Sequence, residues 1–360
     1  LVTTQNLSLG SLRIRELLAR IPASAKAHRE QIEELVDNEL FTFRKMYLKD
    51  REITNLIGIG ENILYMMRQM QSKPVGDKVE ASVLNTFYEK FNKLTVEERF
   101  GVNAEYASLL MPTVVVYKRI LELTGAQMFW IPGIRLCDGI AAEYADDTRL
   151  VRFSHSFEND ILAASRNMAK RYKCHASHSQ VLEEYALGIF DCMKKYHGLG
   201  GRERLLLQIS AILHSCGKFI SMRNSNECSY NIIMSTEIIG LSHLEREIIA
   251  NVVRYNIRDF DYDKVQLEGT YQEGTVELDQ KGMTILIAKL TAILRLANSM
   301  DRSHRGKLAD CRMSIREGEL VITTGYEGDI ALEAMSFEQK ADFFEEIYGI
   351  RPVLRQKRRI

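Results

Sequence analysis

The sequence predicts an α+β protein of several domains, with a mixed α/β stretch over residues 1–145, an all-helical block over 146–307 and a small α/β module over 308–360. Three observations carry this division. Up to about residue 145, short β-type runs alternate with helical periodicities and glycine turns, the pattern of an α/β layer. From 146 on, helix follows helix, and no proline falls between Pro132 and Pro352. Near the end, a hairpin-like alternation around Gly318 precedes one more helical stripe. A chain of 360 residues also exceeds what one ordinary core holds, so two or three domains are expected.

Composition narrows the partners. At 46% hydrophobic and 27% charged residues the chain has enough apolar surface to bury, which excludes disorder. Lys and Arg together equal Asp and Glu, at 48 each, so no global field draws the chain to nucleic acid or to a membrane surface. An anion site, if present, is local. No run of about 18 apolar residues spans a bilayer, and the first residues lack the pattern of a signal peptide. The absence of an initiating methionine suggests that the chain begins inside a longer gene product. Six cysteines without CxxC spacing read as reduced thiols, so a cytoplasmic location is expected.

Taken in order, Thr4 to Leu9 is a candidate strand, and Leu12, Ile14, Leu17, Leu18 and Ile21 then recur at helical spacing up to Pro22. Ile32, Leu35 and Val36 mark a second helix. Glu52 to Gly58 is a strand that feeds the turn Gly58-Ile59-Gly60-Glu61-Asn62, and a helix opens at Ile63. Backbone N–H groups converge where a strand, a glycine turn and a helix start meet, and the helix dipole favours an anion there, so this turn is a candidate phosphate cradle. Leu84 to Leu94 is an apolar helical stripe, Thr95 to Glu98 a capping box, Ala107 to Leu123 a buried helix and Gly125 to Ile131 a strand.

In the helical block, Val181 to Met193 gives a one-face stripe that ends at Gly198-Leu199-Gly200-Gly201, and a second helix runs from Leu205 to His214. Ser242-His243-Leu244-Glu245 is a capping box, and Met283 to Met300 a long helix. In the tail, Ser336 to Gln339 is expected to cap the helix bearing Phe337, Phe343, Phe344 and Ile347. The basic run Arg355 to Arg359 reads as a solvated end.

Histidines early in one helix and at the end of another, with carboxylates nearby, are what a helical metal site needs, because neutral imidazoles and anionic carboxylates complete the coordination. His178 and His214 hold the two histidine positions. Ser215 stands where the carboxylate after the second histidine is expected. A zinc cluster of Cys174, His175 and His178 lacks a fourth ligand, and structural zinc takes four.

The block resembles the HD-like helical domain of the exopolyphosphatase and guanosine pentaphosphate phosphohydrolase (Ppx/GppA) family. The matching pieces are His178-Ser-Gln-Val, Ala211 to Ile220, Cys228-Ser-Tyr, Glu245 to Ala250, Val253-Arg-Tyr255, and Lys289 to Ala297 through His304. Ser8 to Ile14, the Gly58 to Asn62 turn and Gly133 to Gly139 resemble the second half of the family's actin-like (ribonuclease H-like) phosphotransferase unit, and residues 313–348 its small C-terminal module. The resemblance implies a partial actin-like domain over 1–145, an HD-like domain over 146–307 and the module over 308–360, with the family's first actin-like domain upstream of Leu1.

The departures bear on function. His-Asp becomes His214-Ser215, Ala-Asp becomes Ala297-Asn298, and histidines give way to Cys228 and Asn256. Loss of two carboxylates removes most of the charge that holds a divalent cation, so His178, His214, Ser215 and Asn298 are expected to be vestigial metal positions. Glu61 brings a carboxylate to the glycine turn, where it opposes a phosphate. The resemblance implies hydrolysis of the terminal phosphate of polyphosphate or guanosine pentaphosphate by the full-length protein, with magnesium as its cofactor. It places no catalytic residue in this chain, assigns phosphate contacts to Gly58, Gly60 and Asn62, and implies a homodimer. The alternative is a catalytically degenerate regulatory protein that binds polyphosphate or a nucleotide.

Overall fold

The structure is a computed structural model that describes residues 4–22, 25–49, 51–70, 78–93, 104–153, 155–265, 267, 269–273 and 276–357. It is mostly helical with small mixed sheets, an α+β protein. It divides into two compact units, Asn6–Ser154 and one built on His155–Ile360.

The first unit holds α1 (Ser11–Leu18), α2 (Ala25–Phe43), β1 (Asn55–Ile57), α3 (Glu61–Gln69), β2 (Lys78–Glu80), α4 (Ala81–Lys93), α5 (Ala104–Thr124), β3 (Met128–Trp130) and α6 (Leu136–Asp147). Its sheet has the order β1-β3-β2, with β3 parallel to β1 and antiparallel to β2. Phe129 in the central strand is fully buried and joins Ile14, Ile32, Val36, Ile63, Leu84 and Val114 in one core. These residues come from the predicted helical stripes, which recur every three or four positions because one face of each helix must be covered. Residues 4–10 form no strand, contrary to the expectation for Thr4 to Leu9. Leu9 is buried all the same, so its hydrophobicity serves the core without a pairing edge. The capping box at Thr95 lies outside the described residues.

The second unit begins with α7 (Phe157–Arg171), α8 (Ala176–Cys192), the single turn α9 (Lys194–His197), α10 (Gly201–Leu213), α11 (Ser225–Met234) and α12 (His243–Tyr255). A hairpin of β4 (Tyr271–Glu273) and β5 (Val276–Leu278) leads to α13 (Gln280–Ser299). Most of α13 is buried, as expected of a central helix surrounded by others. β6 (Arg312–Arg316), β7 (Glu319–Thr324) and β8 (Arg351–Gln356) make a second sheet of order β6-β7-β8, crossed by α14 (Ala331–Tyr348). Leu320, Ile322, Phe337 and Phe344 belong to the same core as Leu206, Ile249 and Leu290, so the residues after 308 share one hydrophobic interior with the helices. No helix among the described residues is long and apolar enough to cross a membrane.

Two expectations for the tail change. Ser336 lies inside α14, which starts at Ala331, where Asp329 Oδ1 accepts the Ala331 amide hydrogen. The buried face that includes Glu333, Phe337, Ala341 and Phe344 needs the extra turn, and packing overrides the local capping signal. Arg355 belongs to β8 and pairs with Glu319 at 3.0 Å, so the basic run is structured where it begins.

The capping box at Ser242 is formed. Ser242 Oγ accepts from the Glu245 amide at 3.1 Å, and the Ser242 amide donates to Glu245 Oε2 at 2.8 Å. Ser242→Ala is expected to cost about 1 kcal/mol, read as a lower urea midpoint at constant slope. An unchanged midpoint would remove the cap from the stability of α12.

Candidate functional site

The glycine turn sits in the first unit between β1 and α3. The Gly58 amide donates to Trp130 O at 2.8 Å, extending the sheet, and a Cβ on Gly58 would stand 2.2 Å from Ile63 Cδ1. Gly60 has φ +127°, a conformation that side-chain-bearing residues rarely adopt. Helix α3 then starts at Glu61 with no side chain capping it. Helix α1 starts at Ser11, likewise with no side-chain cap. Asn62 Nδ2 donates to Ser11 Oγ at 2.9 Å and brings the two helix N-termini together. Two helix N-termini side by side present several N–H groups without intrahelical acceptors and two positive dipole ends.

Glu61 lies in the first turn of α3. The Arg135 guanidinium is held charged mainly by Asp138, with a smaller contribution from Glu61, so Glu61 is not the only charge at this edge. Of the predicted contacts, Gly60 and Asn62 lie at the helix start, whereas the Gly58 amide is engaged in the sheet. Ser11 was missed. The signal for it was Gly10-Ser11 immediately ahead of an apolar periodicity, a second helix start with a hydroxyl.

The second cluster gathers histidines from distant parts of the chain. His175 is the N-cap of α8, and its Nδ1 accepts from the His178 amide at 3.3 Å. His178, 3% exposed, meets Asp301 across 123 positions of sequence, with Nδ1 and Oδ2 2.7 Å apart. His304 stacks on His178 with ring centres 3.7 Å apart and planes at 8°, and the His214 ring approaches His178 edge-on at 5.0 Å.

Proton positions follow from these partners. The Asp301 carboxylate only accepts, so His178 Nδ1 carries the hydrogen. His214 Nδ1 likewise donates to Ala211 O at 2.8 Å, which leaves Nε2 as an acceptor, buried and without a hydrogen-bond partner among the described residues. Burial, then the neighbouring His178, pushes His214 down to about 3. His304 is also lowered, first by burial and next by His178 and Lys218. Burial alone would raise the Asp301 carboxyl. The hydrogen bonds from His178 and from the Gly306 amide outweigh it and hold Asp301 below the usual carboxylate range.

Ser215 is buried beside the Cys174 thiol, and Asn298 is half-buried on α13. The donor set does not suit a magnesium ion, which takes oxygen ligands in octahedral geometry. Both Asp301 oxygens are engaged by His178 and Gly306, and a serine and an asparagine stand at the other carboxylate positions. The near-parallel stack of His178 and His304 also keeps the two rings from converging on one ion. Among the described residues no group of three or more His, Cys, Asp or Glu is arranged to hold a metal.

Residues 162–340 match the family described as Ppx/GppA phosphatase, domain III. The chain belongs to the Ppx/GppA family. The match runs from α7 into α14 and so includes the histidine cluster, α13 and the first two strands of the second sheet. In this Ppx/GppA chain the cluster is a buried polar network that joins α8, α10 and the loop after α13. No curated protein matches the chain.

Proposed function

We propose that the chain is the C-terminal part of a phosphohydrolase that releases the terminal phosphate of polyphosphate or guanosine pentaphosphate, with hydrolysis belonging to the full-length protein. The observation that carries this reading is the Ppx/GppA domain III match over residues 162–340. On this reading residues 1–145 are the remainder of the second actin-like domain, 146–307 the HD-like domain and 308–360 the C-terminal module. The substrate chain lies along the N-termini of α1 and α3, where Gly60, Asn62 and Ser11 form the cradle and Gly58 gives it shape. Magnesium accompanies the phosphates in the full-length enzyme and would counter the charge of Glu61.

The protein acts in the cytoplasm as a homodimer. Support for the dimer comes from α6, where Leu136, Ile140 and Tyr144 recur every four residues on one exposed face. Six free cysteines suit a reducing compartment.

Orthophosphate release from long-chain polyphosphate and from guanosine pentaphosphate, by the full-length protein and by residues 1–360, tests the division of labour. Release by the full-length protein alone is expected, and release by residues 1–360 alone would overturn it. The second reading, a binding protein without turnover, is favoured by the engagement of both Asp301 oxygens in internal hydrogen bonds. Tight binding of polyphosphate by a full-length protein that releases no phosphate would establish it.

The cradle has its own test. The double variant Ser11→Ala, Asn62→Ala is expected to weaken tripolyphosphate binding about tenfold, the loss of one hydrogen bond to a charged group. Calorimetric titration reads this, and an unchanged affinity would move the phosphate elsewhere.

A further inference from the structure

Charge is segregated in the part of the second unit that carries the turn after α10. No Asp or Glu occurs from residue 161 to 182 or from 204 to 226, although the whole chain has as many acids as bases, 48 of each. The two segments meet. Tyr172, just past α7, packs edge-on against Phe219 with ring centres 5.8 Å apart, and Arg171 lies over the Tyr172 ring at 5.7 Å. Lys170 and Lys173 flank Tyr172, Lys218 and Arg223 flank the turn, and all four are exposed. Lys218 also lies within electrostatic reach of Cys174, so the cations of both segments share one surface. Among the described residues none of the four is held in an ion pair. Glu227, the first carboxylate after the turn, is taken by Arg254 and Arg258.

Beside these cations stands an apolar tip. Phe219, Ile220 and Met222 are 58%, 63% and 77% exposed. The backbone holds them out. Gly217 O accepts from the Ile220 and Ser221 amides, both at 3.0 Å, and Ser221 Oγ accepts from the Asn224 amide at 3.1 Å. The Gly217 amide in turn donates to Ser229 Oγ at 2.8 Å, which pins the base of the turn to α11. A turn closed and anchored in this way keeps three large apolar side chains in water, at a cost that burial would recover.

The combination selects the partner. A nucleic acid or another polyanion is met by the cations alone and gains little from Ile220 and Met222, which offer no ring for a base to stack on. A bilayer with anionic headgroups uses both features, because the cations draw it and its hydrocarbon boundary takes up the apolar side chains. We propose that the turn Cys216–Arg223 docks this unit on an anionic lipid surface. Phe219, Ile220 and Met222 enter the headgroup boundary, and Lys170, Lys173, Lys218 and Arg223 face the lipid phosphates. The neutral overall charge is no obstacle, since the field that acts is local and decays within about 10 Å at 0.1 M salt. The surface does not depend on the phosphohydrolase reading.

Co-sedimentation of residues 1–360 with phosphatidylcholine vesicles, with and without about one third phosphatidylglycerol, is the test. Binding at least about tenfold tighter to the anionic vesicles is expected, weakening as salt rises. The double variant Lys218→Gln, Arg223→Gln should lose about tenfold in affinity, and so should Ile220→Ser, Met222→Ser. All four side chains are exposed, and unfolding midpoints verify that the variants remain folded. Phe219→Trp reports insertion directly, because its emission should move to the blue on anionic vesicles. A chain that ignores anionic vesicles would overturn the proposal. So would binding that survives Ile220→Ser, Met222→Ser unchanged, which would mark a surface for polyanions only, or a shift from dimer to monomer in that variant, which would show that a second copy covers the tip.

Discussion

Gly217→Ala is expected to lower the thermal midpoint of the second unit by about 6–12 °C, a loss of about 3 kcal/mol. The residue lies in the short 3-10 turn Cys216–Phe219, directly after the histidine end of α10. Its amide donates to Ser229 Oγ at 2.8 Å. A Cβ at this position would stand 1.9 Å from Ser225 O and 2.4 Å from Ser229 N, both backbone atoms of α11. A flexible side chain yields to such a contact, but a helix backbone moves only as a unit. The substitution therefore drives α11 away from α10, opening the core around Ile232 and Ile233. Scanning calorimetry measures the shift, and a change under about 2 °C would show that the two helices tolerate displacement.

Acid should destabilise the second unit well before its carboxylates titrate. His214 is neutral when folded, with a pKa near 3, and in the unfolded chain it returns to about 6.5. Between these values the unfolded state binds the extra proton, so stability is intact above about pH 6.5 and falls as pH drops toward 3. At pH 5 the loss from His214 is about 2 kcal/mol. His304 is shifted in the same direction and adds to the loss. Asp301, held below its usual range, adds its own loss only when the pH falls through the carboxylate region. Urea unfolding between pH 7.5 and 4.5 should therefore show a steady fall in the midpoint. His214→Leu should flatten that slope while lowering stability at pH 7.5. A slope unchanged in the variant would place the proton uptake elsewhere.

Much of the fold was legible in order of sequence. The stripes at Ile32 and Val36, at Leu182, Tyr185 and Ile189, and along α13 are buried as their spacing required. The Ser242 capping box, the turn at Gly58 and the hairpin at Gly318 depend on neighbours within a few residues, and each formed. Thr4 to Leu9 and Ser336 went the other way. A strand exists only if another strand pairs with it, and a helix start yields when its buried face extends further back. Both are decided by atoms far along the chain.

The candidate sites divide along the same line. Residue types alone gave the glycine turn, the histidines at 178 and 214 and the missing carboxylates at 215 and 298. They also carried the family resemblance, because an ordered series of motifs survives whatever each side chain touches. Only the tertiary structure decided that Ser11 stands beside Asn62 and that Asp301 accepts from His178 while His304 stacks above it. Those pairs lie between 51 and 126 positions apart. Local periodicity specifies which face of a helix is buried. The partner that the face meets is set by how whole elements pack, and the chemistry of this chain lies in those meetings.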